Sequence, residues 1–125
     1  MTTETKLAPP NSLLLVMDRD SGEIPESMDG KMIVSTPSSV AVGTLSEADG
    51  KTSVVLTDER IVINADPALC WLFGGVLTTP KKEIHVSTVL LQSILSLPVA
   101  SIRTQVEIWA NSQTEPSKLV VLVDS

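Results

Sequence analysis

Asp18, Asp20, Glu23, Glu26 and Asp29 lie within twelve residues of chain, and carboxylates at that density do one of two things. They hold a hard cation, or they present an anionic surface to a basic partner. A calcium loop needs oxygens at its first, third and fifth positions, a glycine at the sixth and a bidentate carboxylate at the twelfth. Counted from Asp18, Gly22 falls at five, Glu23 at six and Asp29 at twelve, so the register is wrong by one. The run therefore reads as a solvated or partner-facing acidic loop, and no metal or other cofactor is expected. His85 is the only histidine and Cys70 the only cysteine, and one of each in separate segments is no zinc signature. Serine and aspartate are abundant, but nothing resembles a nucleophile elbow, and His85 reads as a surface or packing residue. Gly74-Gly75 lacks the lysine, wider glycine spacing and following helix of a phosphate-binding loop. No enzyme is expected.

The acidic loop belongs to a wider asymmetry. Between Asp18 and Asp66 ten carboxylates, Asp58 and Glu59 among them, face four basic residues. That segment carries the whole formal net charge of −6, and the rest of the chain is neutral. Such a field attracts cationic partners and repels nucleic acid and anionic membranes. Direct nucleic-acid binding is therefore disfavoured, as is membrane association. No window approaches the length of an apolar membrane helix, and residues 1–10 do not resemble a signal peptide. The lone thiol suits a reducing, cytoplasmic location.

These residues must be positioned by strands. Two Trp, one Phe and no Tyr leave a 42% hydrophobic chain to build its core from Val, Leu and Ile, a composition that favours sheet. Residues 1–11 read as a disordered lead-in and 12–125 as one domain. Strands are expected over Ser12–Met17, Lys31–Thr36, Ser39–Thr44 and Thr52–Thr57, with a hairpin at Asp49-Gly50. Arg60–Ile63 adds a short apolar piece. Asp66–Gly75 fits either a short helix or a buried strand; the β-prone residues after the glycines favour strand, with a bulge at Gly74-Gly75. From Glu83 the alternation is regular, although 87–96 also fits helical spacing. Arg103–Ala110 alternates, and Lys118–Val123, apolar on both faces, reads as central in a sheet. The expected fold is all-β: a β-sandwich or flattened barrel of eight or nine short strands with at most one short helix.

Trp109 stands among polar neighbours on its face of Arg103–Ala110, the setting of an interface anchor or of a tryptophan covered by another segment. The run Thr78-Thr79-Pro80-Lys81-Lys82-Glu83-Ile84-His85-Val86-Ser87, the later Leu97-Pro98, Gln105-Val106-Glu107-Ile108-Trp109 and the closing Leu119–Val123 together resemble the competence protein J family. The resemblance covers about the last 50 residues. It implies a small β-rich inhibitor that binds and silences a nuclease, with Trp109 at a matching position. The chain departs from the family in its few aromatics and in an acidic loop without tryptophan. Charge and resemblance together give an acidic protein that inhibits a basic partner, a nuclease toxin, as an immunity-type inhibitor does. Asp18, Asp20, Glu23, Glu26, Asp29, Asp58, Glu59 and Trp109 are the candidate contacts, with Ile24 and Met28 as apolar neighbours. A self-associating β-protein and a small-ligand-binding sandwich are the alternatives.

Overall fold

The computed structural model describes residues 1–19 and 22–124. Ten strands form two five-stranded sheets packed face to face. The first sheet runs β1 (Thr2–Leu7), β5 (Thr52–Thr57), β10 (Lys118–Asp124), β9 (Arg103–Ala110), β6 (Cys70–Thr78). The second runs β3 (Ile33–Ser35), β4 (Ser39–Gly43), β2 (Leu13–Asp18), β7 (Glu83–Thr88), β8 (Ser93–Pro98). Neighbours pair antiparallel except β5 and β10, which are parallel.

The core follows the two-residue period of strands. Leu14, Val16, Val40, Val42, Ile84 and Val86 of the second sheet meet Val54, Leu56, Val106, Ile108, Leu119 and Val121 of the first. β10 is central: Val123 joins the inner core, while Val120 and Leu122 lie on the outer face of the first sheet. They are covered there, with Val55, by Ile63 of the short helix α1 (Ile61–Asn64), by Leu69 and by the flank of Trp109.

The all-β sandwich is the fold expected, and several elements differ in detail. Thr2–Leu7 is a strand rather than a lead-in: Thr3, Thr5 and Leu7 turn inward while Thr2, Glu4 and Lys6 stay exposed. Its polar composition hides an edge strand whose inner positions are filled by threonine. The Asp49-Gly50 hairpin does not form, because β4 and β5 belong to different sheets. A 3₁₀ turn at Glu47–Asp49 and Gly50 at φ +132° carry the chain between them. Arg60–Ile63 contributes to α1, which takes Ile63 onto the outer face. Cys70–Thr78 is strand, and its bulge lies between Trp71 and Phe73 rather than at the glycines. Residues 87–96 form the end of β7, a turn and the start of β8.

Candidate functional site: an acidic strap over the second sheet

The chain leaving β2 folds back across the outer face of the second sheet. Glu23 N–H donates to Ser38 Oγ at 2.7 Å, and Glu23 C=O accepts from Thr36 Oγ1 and Ser39 Oγ, both at 2.6 Å. Met28 packs on Leu15, Met17 and Ala41, the outward residues of β2 and β4. At the other end Gly22 crosses directly over Met17, where a Cβ would lie 2.4 Å from Met17 Sδ and 2.6 Å from its Cβ. The absence of a side chain at Gly22 is what lets this strap lie flat. With the backbone anchored, Glu23, Glu26 and Asp29 point to solvent. None of the three forms an ion pair among the described residues.

Beside the strap runs a trough. One hollow of about 430 Å³ has Met17, His85 and Ser87 on its floor, Ile24 on the strap side and Leu91 opposite. A second, of about 220 Å³, lies against Leu15, Met28, Ala41 and Val89, and Ile24 lines both. Leu90 and Leu91, at the tip of the β7–β8 hairpin, are 73% and 63% exposed. Leu91 holds φ +61°, a left-handed conformation that favours glycine or asparagine. Neither the core nor the turn calls for a leucine side chain at this position. Val89-Leu90-Leu91 was open to detection in the sequence, since three apolar residues occupy a place where hairpin tips carry polar ones. The helix-compatible spacing of 87–96 hid the turn.

His85 is fixed on the trough floor between β7 and β8. Its Nδ1 lies 2.7 Å from Ser93 Oγ, and its Nε2 bonds Glu83 Oε1. His85 is thus a packing residue as read from sequence, and it also lines the larger hollow.

The remaining candidates divide sharply. Asp18 is 1% exposed, buried at the base of the larger hollow. Its Oδ2 accepts from Lys81 N–H at 3.0 Å and its Oδ1 from Glu83 N–H at 3.3 Å, tying the base of the strap to the start of β7. Its negative charge compensates backbone donors inside the fold, which corrects its reading as a contact. Asp20 lies outside the described residues. Asp58 and Glu59 follow the end of β5 in the first sheet, away from the strap. Both bond the Met1 ammonium, and Glu59 also accepts from Thr2 Oγ1. The threonine bond, ahead of the ammonium, holds Glu59 below the ordinary carboxylate range. Trp109 is half-buried against the outer cluster of the first sheet, and its Nε1–H donates to Glu107 Oε1 at 3.1 Å. One side of the ring thus packs on the first sheet while the rest stays accessible. Glu107 bonds the Arg60 guanidinium, which lowers its pKa, and Lys118 does the same for Asp66 at 2.7 Å. Among the described residues no group of three or more His, Cys, Asp or Glu is placed to hold a metal ion. None of their helices is long and apolar enough to cross a membrane.

No protein-family model and no curated protein sequence matches the chain. A solved structure does: ComJ from Bacillus subtilis, an inhibitor of the DNA degrading activity of NucA, superposes with a TM-score of 0.59. The match covers 97% of this chain and 93% of ComJ at 11% identity. The fold is that of ComJ. The match spans 97% of the chain, well beyond the last 50 or so residues that carry the resemblance in sequence. At this identity it is a likeness of fold, and ComJ is an inhibitor rather than an enzyme.

Proposed function

We propose that this protein inhibits a nuclease by laying its acidic strap and trough against a basic face of the enzyme. The observation that carries the reading is the fold shared with ComJ along nearly the whole chain. The geometry adds a surface suited to the task. Glu23, Glu26 and Asp29 sit on a braced backbone with no internal counterion among the described residues, so their field reaches solvent and steers a cationic partner. Ile24 and the hairpin tip supply apolar groups that lose water on contact and slow dissociation. A nuclease must bind phosphate, so its cleft is basic, and an anionic strap seated there competes with DNA for the same charges. The lone thiol of Cys70 is in keeping with a cytoplasmic, immunity-type role.

The test is a titration of the purified chain into NucA and into basic nucleases from its own source, scoring DNA degradation at low and physiological salt. Stoichiometric loss of activity in at least one nuclease, weakened by salt, is expected. Full DNA degradation by all of them at low salt, with no complex detected, overturns the proposal.

A further inference from the structure

The four sheet edges are unequal, and the difference points to a second contact surface. Free edges invite pairing with other chains, and proteins blunt them with short strands, charges or proline. β3 has three residues, β1 carries Glu4 and Lys6, and β8 ends in Pro98. β6 has neither charge nor proline in its nine residues, and although it bulges between Trp71 and Phe73, its stretch from Phe73 to Thr78 pairs regularly with β9, with Trp71 54% and Val76 49% exposed. The register shows which backbone groups are free. Thr79 N–H bonds Ile102 C=O on the β9 side, whereas Thr78 N–H turns away to Pro37 C=O. By the two-residue alternation, Gly74 and Val76 also direct N–H and C=O away from β9.

We infer that β6 pairs with β6 of a second copy of this chain, antiparallel about a two-fold axis at Gly75. An antiparallel edge is complementary to itself, so identical strands satisfy it. Centred on Gly75, Gly74 faces the partner's Val76 and Val76 the partner's Gly74, and the two pairs exchange four hydrogen bonds. The side chains agree with this register. The Trp71 indole lies over Gly74, with Cζ2 3.1 Å from where a Cβ would be. The partner's Val76, opposite Gly74, then packs against that ring, and the two most exposed apolar residues of the strand are covered together. Charge favours the same occupant. Two chains of net charge −6 repel, and an uncharged strand is a surface on which they can approach. The contact is small, so association in the micromolar range follows.

Sedimentation of the full chain at about 5 and about 300 µM spans that range. The expected result is a concentration-dependent dimer that V76K and V76P both return to monomer. V76K places like charges across the axis, and V76P removes an N–H that the β9 ladder does not use. Hydrogen exchange on the unmodified chain decides the matter even if a variant folds poorly: the Gly74 and Val76 amides must gain protection with concentration. A monomer at the higher concentration overturns the inference. So does a dimer that survives both substitutions, or one that forms without slowing exchange at Gly74 and Val76.

Discussion

Leu91→Asn separates what the hairpin tip does for the fold from what it does for a partner. Leu91 N–H closes the turn on Thr88 C=O at 2.9 Å, with the residue at φ +61° and 63% exposed. That conformation costs an ordinary residue about 1–2 kcal/mol, and asparagine enters it more readily. So exposed a side chain leaves little burial to lose. The substitution should therefore stabilise the isolated protein by about 0.5–1 kcal/mol, a rise in Tm of about 2–5 °C at this chain length. In the complex the balance reverses. A leucine fully covered by the partner contributes about 1.5–3 kcal/mol, so the variant should dissociate about 10- to 100-fold faster. Denaturant titration of the free protein and the dissociation rate from the inhibited nuclease measure the two effects on one sample. A fall in stability would show that Leu91 packs the fold. Higher stability with unchanged dissociation would remove the tip from the interface.

Asp18→Asn should cost about 2–4 kcal/mol, because its amide puts a donor toward the N–H groups of Lys81 and Glu83; a denaturation midpoint equal to the parent's would contradict that role. Neutralising the strap (E23Q, E26Q and D29N together) should slow association with the nuclease about tenfold at low salt and flatten its salt dependence. The pair D58N and E59Q, away from the strap, should leave both unchanged in the same stopped-flow experiment. Glu107 titrates below its ordinary 4.5 in the fold, chiefly through the Arg60 guanidinium. A carboxylate lowered in this way contributes stability above the unfolded pKa and loses it as pH falls through the folded one. E107Q should therefore show a shallower loss of Tm below about pH 4.5 than the parent, and equal acid limbs would refute the coupling.

The aliphatic composition, the two-residue alternation and the doubly apolar run at Lys118–Val123 were enough to read an all-β sandwich with that strand central. What escaped was information held by other segments. Thr2–Leu7 has no apolar signature because threonine fills its inner positions, and only β5 beside it makes it a strand. Asp49-Gly50 has the local chemistry of a hairpin, but Val40 and Val54 bury their side chains from opposite sheets, so the chain crosses the core edge instead. The acidic loop was legible as a candidate surface, but its members were not legible as different in kind. Asp18 and Glu23 are five residues apart in an equally acidic context. Their roles diverge because Asp18 ends a buried strand beside two backbone donors, whereas Glu23 uses only its backbone to hold the strap. Trp109 stood among polar neighbours in sequence because the cluster it packs against is built from distant segments, Ile63 arriving from 46 positions earlier.

That sorting of carboxylates bears on which face of the sandwich attracts a partner, although Glu4 and Asp124 of the first sheet also form no ion pair among the described residues. An ion pair is a dipole, and its field fades within a few ångströms of the surface, whereas an unpaired charge acts out to the Debye length, about 8 Å in physiological salt. On the first sheet Asp58, Glu59, Asp66 and Glu107 each bond a cation of the same chain. The apolar outer positions of that sheet are filled by Ile63, Leu69 and Trp109. On the second sheet the relation is inverted. Glu23, Glu26 and Asp29 have no cation among the described residues, and the trough at Ile24 and Leu91 stays open. A protein that only needed solubility would gain nothing from securing the Glu23 backbone with Ser38, Thr36 and Ser39 while the side chain has no counterion among the described residues. The bracing makes sense if the charges must be presented in a fixed arrangement. A basic partner that meets this molecule should therefore meet it on the second sheet, leaving β6 of the first sheet free to pair with a second copy.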